Sequence, residues 1–269
     1  MSAAISIDGV SKRYPGGVLA VDRWSLEIAD GEFVAIAGPS GCGKTTLLNA
    51  IAGFDDITAG SIAVGGSTIA APGLRPQPSP QRAVVFQRNA LLPWKTVAQN
   101  VAFGLAMQGR EHPLRSMYRA KELLAHVGLS DTAGEYPERL SSGTLRRIEF
   151  VRALANDPPL LLLDEPFRAL DTVTKTSMHE YLAHLLEQRR RTVLLVTHDI
   201  DEAILLADRV VVSTARPASV KSVFDIRLPR PRRAGITLRP EFAHYRDAIL
   251  ELVEAEARHA FESGDLERV

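Results

Sequence analysis

A glycine-rich segment early in the chain has the residue types of a phosphate-binding loop. It consists of Gly38, Pro39, Ser40, Gly41, Cys42, Gly43, Lys44, Thr45 and Thr46. An apolar run at residues 33–37 precedes it and a helical pattern at 47–52 follows, which is the strand, loop and helix context of such loops. Backbone N–H groups would surround phosphate oxygens, Lys44 would reach the outer phosphates, and the Thr45 hydroxyl would bind Mg²⁺. The segment predicts a nucleoside triphosphate site; taken alone, it is also compatible with a plain glycine-rich turn.

Two adjacent carboxylates, Asp164 and Glu165, follow the apolar run at residues 160–163. Successive side chains at a strand end point in different directions and can take different tasks. We expect Asp164 to hold Mg²⁺, directly or through water, and Glu165 to orient and polarise an attacking water. With Lys44 the pair predicts phosphoryl transfer, a reaction that needs mainly positioning and charge stabilisation. By itself, the acidic pair could instead cap a following helix.

Three further polar residues occupy comparable places. Gln87 comes directly after the apolar run at residues 83–86, and His198 comes just beyond the run at residues 192–196. His198 there could contact the terminal phosphate and sense its loss, and Asp171 closes the segment that follows Glu165. Taken alone, each is more often structural than catalytic, so it is their order along the chain that favours a common site.

The elements that must position these residues are readable from apolar spacing. Short apolar runs alternate with helical patterns, which predicts an α/β fold with a mainly parallel sheet and flanking helices. Together with the glycine-rich motif, this predicts a P-loop NTPase core. Residues before about 28 alternate in polarity and predict an N-terminal antiparallel β layer. Between about 88 and 156 the strand patterns fade, and helical spacing predicts an inserted α-helical subdomain. The predicted strands are 33–37, 83–86, 160–163, 192–196 and 209–212.

The end of the chain carries one more helical pattern. Residues 234–269 follow a basic, proline-containing segment and place Phe242, Tyr245, Ile249 and Val253 near one face. This predicts a C-terminal helical extension packed against the rest of the chain. A regulatory or partner-binding tail is the alternative.

Composition restricts where the protein acts. The 269 residues include 32 basic and 32 acidic side chains, so no whole-surface field attracts nucleic acid, and we expect no nucleic-acid partner. Cys42 is the single cysteine, which excludes an internal disulfide and favours a reducing compartment. The apolar runs are shorter than the roughly 20 residues of a membrane helix, and the N-terminus lacks an export pattern. We therefore expect a cytosolic protein whose association with a membrane is peripheral.

Taken in order, the phosphate loop, Gln87, the LSxG segment at Leu140, LLLLDEP, LD and VTHD resemble the ATP-binding subunit of an ABC transporter. The resemblance runs from about Ile5 to Pro231 and implies an ABC ATPase cassette at residues 1–233 that binds ATP and Mg²⁺. It implies that Tyr14 stacks on adenine and that Gln87 lies near Mg²⁺, beside Thr45 and Asp164. It also implies these roles: general base for Glu165, switch histidine for His198 and D-loop aspartate for Asp171.

The same resemblance implies a dimer and membrane partners. In this family two subunits meet head to tail, so that the signature residues Ser141, Ser142, Gly143 and Thr144 complete the ATP site of the second copy. Residues 84–105 and the tail look most like the nitrate, sulfonate and taurine importer ATPases. This implies two transmembrane permease subunits, an extracytoplasmic solute-binding protein and a place at the cytoplasmic face of the inner membrane. Trp94 would lie at the surface that receives the permease, or alternatively anchor the helical lobe.

The signature departs from the usual LSGGQ pattern. Ser142 stands where glycine is usual and Thr144 where glutamine is usual. The Ser142 Cβ would narrow the approach of the backbone to the partner's terminal phosphate or demand a φ that only glycine adopts cheaply. Arg146 is expected to add positive charge beside that phosphate, and Arg168 takes a D-loop position where a small residue is common.

These departures leave three functions to compare. The first is an importer ATPase that takes up a small anion, with hydrolysis slowed by the atypical signature. The second is a binding subunit with little or no turnover, either regulatory or half of an asymmetric pair. The third, a non-transport ABC ATPase acting on nucleic acid or ribosomes, is disfavoured because this neutral chain carries a single cassette without long insertions.

Overall fold

The computed structural model describes residues 2–87, 90–109, 112–168, 170–188 and 190–262. Arg88 and Asn89, at the start of the predicted helical subdomain, and residues 263–269 of the predicted extension lie outside the described residues. Within these ranges ten strands form two sheets. The strands are β1 Ile5–Arg13, β2 Leu19–Ile28, β3 Phe33–Ala37, β4 Ala59–Val64, β5 Ser67–Ala70, β6 Arg82–Val85, β7 Leu160–Asp164, β8 Thr192–Thr197, β9 Arg209–Ser213 and β10 Val220–Asp225.

Seven α-helices accompany the strands in the described part of the chain. They are α1 Lys44–Ala52, α2 Val97–Met107, α3 Pro113–His126, α4 Ser142–Ala155, α5 Thr172–Gln188, α6 Ile200–Leu206 and α7 Pro240–Glu262. None of these helices is both long enough and apolar enough to cross a membrane.

The larger sheet carries the residues of the predicted site at one edge. Its strand order is β10-β9-β3-β8-β7-β6, and all neighbours pair in parallel except the antiparallel edge strand β10. Because parallel strands end on the same side, the segments after β3, β6, β7 and β8 converge there. Every residue of β3, β7 and β8 is buried, which explains their continuous apolar runs.

Alternate residues of these strands enter two different cores. Ile36, Leu162 and Val196 face a cluster shared with α1 and with the smaller sheet. That smaller sheet is antiparallel, with the order β2-β1-β4-β5, and contributes the fully buried Trp24. On the opposite face, Leu163 joins a cluster shared with α5, α6 and α7. The predicted fold class, a P-loop NTPase-like core with an antiparallel layer, is confirmed.

Three helices between β6 and β7 form a lobe with its own core. Buried residues of α2, α3 and α4 pack together, including Val101, Leu124 and Ile148. α2 begins with a capping box, in which the Thr96 side chain accepts from the Gln99 amide and the Gln99 side chain accepts from the Thr96 amide. The inserted α-helical element of the fold prediction is therefore present.

The C-terminal helix packs against the larger sheet. α7 buries Phe242 and Ile249 in the cluster beside α6, with Tyr245 and Val253 partly buried next to them. These are the residues that the spacing places on one face.

Candidate functional site

The glycine-rich loop turns tightly between β3 and α1. Gly43, which precedes the first residue of α1, has φ 125°, a value that L-residues rarely adopt. A Cβ built there would lie 2.2 Å from the carbonyl oxygen of Ala20. Only glycine therefore fits, and the N–H groups at the start of α1 are left directed at the cleft that the loop lines.

Lys44 is buried inside this loop. Its Nζ donates to the carbonyl oxygens of Gly38, at 2.9 Å, and Pro39, at 2.6 Å, and lies 3.4 Å from the Cys42 sulfur. A buried ammonium is stable only with such partners. The same position puts its charge at the floor of the cleft, where a phosphate group can exchange with the carbonyl oxygens.

Thr45 connects the loop to the acidic end of β7. Its hydroxyl donates to Asp164 Oδ1 at 3.1 Å. Burial raises the pKa of Asp164 above its ordinary value, the Thr45 hydrogen bond opposes that rise, and the charge of Glu165 adds to it. A buried carboxylate beside a hydroxyl oxygen offers the hard oxygen ligands that Mg²⁺ prefers, so these residues fit the metal.

Glu165 is the meeting point of the remaining predicted residues. Its backbone has a left-handed φ of 43°, and its amide donates to the carbonyl oxygen of Val196 at 2.8 Å. One carboxylate oxygen accepts from Gln87 Nε2 at 3.1 Å and from Arg168 Nη1 at 2.8 Å. The other lies 3.2 Å from His198 Nδ1. The ends of β6 and β8 and the turn after β7 thus place three polar side chains around one carboxylate.

Tyr14 closes the cleft on the side of the smaller sheet. Its hydroxyl donates to Asp55 Oδ2 at 2.8 Å and lies 3.3 Å from Thr46 Oγ1. Lys12 Nζ is 4.8 Å from the centre of the ring. Burial raises the pKa of Tyr14, which keeps the phenol neutral. The cleft has a volume of about 400 Å³ and runs from Tyr14 along Ser40 to Thr46 and on to Gln87 and Glu165.

The signature residues do not line this cleft. Ser141 caps α4, its Oγ accepting from the Thr144 amide at 3.3 Å and lying 3.0 Å from Thr144 Oγ1. Asp171 caps α5 by accepting from the amide and hydroxyl of Thr174, at 3.0 and 2.6 Å, which lowers the pKa of Asp171. A Cβ built on Gly143 would touch Thr174 at 3.3 Å. The starts of α4 and α5 therefore form a second group of predicted residues, apart from the first.

One of the two alternatives for Ser142 is excluded, and the expectation for Arg146 is wrong. Ser142 has no left-handed φ, because it is the first residue of α4, where any L-residue is comfortable. Arg146 does not present its charge to a phosphate: it is 5% exposed, and its guanidinium turns inward to the carbonyl oxygens of Phe86 and Gln87 and to Glu149. A desolvated guanidinium needs several acceptors, and the interior supplies them.

One residue of the cleft escaped the sequence analysis. Arg216 lies beyond the end of β9, lines the cleft and donates through Nη2 to the carbonyl oxygen of Gly41 at 2.8 Å. The rule that parallel strands end at one edge would have indicated it, since β9 pairs in parallel with β3.

The chain is similar to known proteins over most of its length. The sequence profile described as "ABC transporter" matches residues 21–168. An ATP-binding protein of Brucella abortus is 45% identical, covering 94% of both chains. The bicarbonate transport ATP-binding protein CmpD of Synechocystis is 41% identical, covering 94% of this chain and 89% of its own. The solved ATP-binding cassette MJ0796, a dimer in a post-hydrolysis state bound to ADP and Pi, is 31% identical with a TM-score of 0.73, covering 84% of this chain and all of its own.

Proposed function

The chain belongs to the ABC transporter family as an ATP-binding ATPase cassette, and we propose that it energises an importer for a small anion such as a sulfonate, taurine or nitrate. ATP hydrolysis, the part of the proposal that the site itself supports, rests on the contact of Glu165 with Gln87 and His198 beside the glycine-rich loop. A carboxylate held in this way can take a proton from water next to a bound phosphate.

The proposed chemistry assigns each group of the cleft one task. Lys44 and the loop amides bind the phosphates of ATP, and Tyr14 stacks on its adenine. Glu165 accepts the proton of the water that attacks the terminal phosphorus, the bond to ADP breaks, and His198 contacts the phosphate that leaves. Mg²⁺, held by Thr45, Gln87 and Asp164, would supply positive charge to the phosphate oxygens.

The second group of predicted residues supports a head-to-tail dimer. Ser141, Ser142 and Asp171 are exposed, and none of them lines the cleft of its own chain. Residues 141–144 lie at the start of α4, where free N–H groups favour an anion. In the dimer they would face the terminal phosphate bound by the second copy, and the dimeric cassette MJ0796 supports this assembly.

An exposed aromatic surface supports docking to permease subunits. Trp94 is 70% exposed. The next residue, Lys95, lies 5.3 Å from the centre of the Phe103 ring, and Phe103 lines a groove of about 190 Å³ with Phe86 and Ala90. We infer that one permease docks on this surface of each copy, two in all, with the chain peripheral at the cytoplasmic face of the membrane and a solute-binding protein outside. The cassette would span residues 1–233, with its helical subdomain at about 88–156, and residues 234–269 would form the extension. We infer no nucleic-acid partner.

The similarity to a bicarbonate transport protein supports a small anion as the solute. The test is uptake of labelled taurine, nitrate and bicarbonate by cells that encode the chain, compared with cells lacking it and with cells carrying Glu165→Gln. Loss of taurine or nitrate uptake in both altered strains supports the proposal. Loss of bicarbonate uptake alone would identify bicarbonate as the solute. Unchanged uptake of all three would refute small-anion import.

Hydrolysis is tested on the purified chain. We expect Mg²⁺-dependent release of phosphate that Glu165→Gln abolishes, while ATP binding and ATP-induced dimerisation, followed by light scattering, persist. Glu135→Gln, which changes an exposed carboxylate in a 3.5 Å pair with Arg139, is the matched control and should keep full turnover. ATP binding without turnover, even with the permeases present, would favour the alternative of a regulatory or asymmetric subunit.

A further inference from the structure

Three charged side chains of α4 converge on the loop that carries Gln87. Arg146, Glu149 and Arg152 are spaced three residues apart and therefore share one face of the helix. Arg146 and Glu149 are only 5% and 6% exposed, and Arg152 is half-buried. All three lie where the helical lobe meets β6 of the larger sheet.

These side chains hold the loop on both sides of Gln87. Arg146 donates to the carbonyl oxygens of Phe86 and Gln87, the latter at 2.6 Å. After the undescribed residues 88 and 89, the amide of Ala90 donates to Glu149 Oε1, and Arg152 Nη1 donates to the Ala90 carbonyl oxygen at 2.6 Å. A 2.8 Å bond from Arg146 to Glu149 Oε2 closes the network.

Burying the two charges of Arg146 and Glu149 is costly. Burial lowers the pKa of Arg146 and raises the pKa of Glu149, so both charges are unfavourably desolvated. Buried ion pairs of this kind can usually be replaced by apolar side chains of similar size without loss of stability. What an apolar pair cannot do is hold the carbonyl oxygens and amide of the Gln87 loop.

We propose that Arg146 and Glu149 are positioning residues that fix Gln87 at Glu165 and tie it to the start of α4. The inference rests on the proposed function of the cleft. Gln87 Nε2 lies 3.1 Å from Glu165 Oε2, and Arg146 bonds the carbonyl oxygen of the same glutamine. Since Ser141 to Thr144 begin the same helix, a shift at the signature would move Arg146 and Glu149, and through them Gln87, as one body.

The test is a double-mutant cycle in kcat. We expect Arg146→Met/Glu149→Leu to lower kcat about tenfold, which is about 1.4 kcal/mol, with unchanged ATP affinity and a Tm within about 5 °C of wild type, because the loss of bonds to the loop offsets the gain from removing a buried ion pair. In a Gln87→Ala background the same pair should change kcat less than twofold, because its target is gone. If the pair lowers kcat about tenfold in the Gln87→Ala background as well, its effect does not act through Gln87. Its role would then be merely structural, and the inference would be overturned.

Two further variants keep the result interpretable. Arg139→Met/Glu135→Leu replaces an exposed pair in the same lobe and should leave kcat unchanged. Arg146→Lys keeps the charge but lacks the planar fork whose two nitrogens reach Phe86, Gln87 and Glu149 together. If the double replacement does not fold, this single replacement should still lower kcat several-fold.

A readout without turnover separates this inference from the proposed function. Hydrogen exchange at the Ala90 amide, which is bonded to Glu149, should accelerate at least tenfold in Arg146→Met/Glu149→Leu and not in the control pair. If the wild type hydrolyses ATP but exchange and the cycle show no effect, only the positioning role fails. If the wild type does not hydrolyse ATP, the proposed function fails, whatever the exchange result.

Discussion

Arg168 restrains the carboxylate that we propose as general base. Its Nη1 lies 2.8 Å from Glu165 Oε2, the same oxygen that Gln87 reaches. Since His198 lies against the other oxygen, Arg168 competes with an attacking water for the remaining acceptor positions of Glu165, and its charge makes the carboxylate a weaker base. Arg168 is 52% exposed while Glu165 is 10% exposed, so the arginine is the partner that solvent can most easily replace.

Removing this arginine should therefore raise turnover. Half-exposed pairs of this type contribute about 0.2–1 kcal/mol. If the activation barrier falls by that amount, kcat rises about 1.5- to 5-fold. We expect this rise in Arg168→Ala with unchanged ATP affinity, measured as steady-state phosphate release at saturating ATP. The difference from wild type should shrink at high salt, because salt screens the pair.

The controls decide whether the pairing is the cause. Arg168→Lys keeps a cation within reach of Glu165 and should stay near the wild-type rate. Arg246→Ala removes a similarly exposed arginine from a 3.5 Å pair on α7, far along the chain, and should change nothing. An Arg168→Ala rate that is equal to or below wild type, or an increase that salt does not alter, would refute the restraint.

Three other perturbations follow from the geometry. Gly43→Ala should lower the free energy of unfolding by about 2–5 kcal/mol in a denaturant titration and abolish ATP binding, because the cost of a positive φ adds to a clash with backbone. The control Gly66→Ala, at φ 78° in open space, should lower it by only about 1–2 kcal/mol. Burial alone would raise the pKa of Asp199, but the Lys175 hydrogen bond and a helix amide lower it overall. Ionised Asp199 stabilises the folded state fully above its unfolded pKa of about 4, and this stabilisation is lost as pH falls through its folded pKa. The difference in Tm between wild type and Asp199→Asn should therefore close at acid pH. A difference in Tm that does not depend on pH would contradict this. Ser142→Gly should change Tm by less than about 2 °C, since Ser142 has helical φ at an exposed first turn, while ATP-induced dimerisation, followed by light scattering, should strengthen.

The buried strands and the cleft were largely predictable because their causes are local. A strand buried on both faces must be apolar throughout, so β7 and β8 stand out in the sequence. Residues that follow neighbouring parallel strands must converge. The order of Gln87, Glu165 and His198, each just after an apolar run, was therefore enough to predict a common site.

The direction in which charged side chains point was not predictable, because it depends on residues far away in the sequence. Arg146 turns inward because carbonyl oxygens about sixty residues earlier in the chain, at Phe86 and Gln87, accept from it. A surface arginine and a buried one look alike in a helical pattern, and only the packing of α4 on the loop after β6 distinguishes them. The bond from Arg168 to Glu165 likewise depends on the turn after β7, where Glu165 has a left-handed φ.

The structure also separates two ways in which the atypical signature could slow turnover. Ser142 and Thr144 form a regular, capped start of α4, so these substitutions change the surface offered to a second copy and not the fold. Arg146 lies on the same helix but acts on Gln87 of its own chain. A defect at Ser142 should therefore appear in ATP-induced dimerisation, whereas a defect at Arg146 should persist at saturating ATP in a fully formed dimer. Because α4 carries both, the proposed head-to-tail dimer would link the state of the second copy's ATP site to the placement of Gln87.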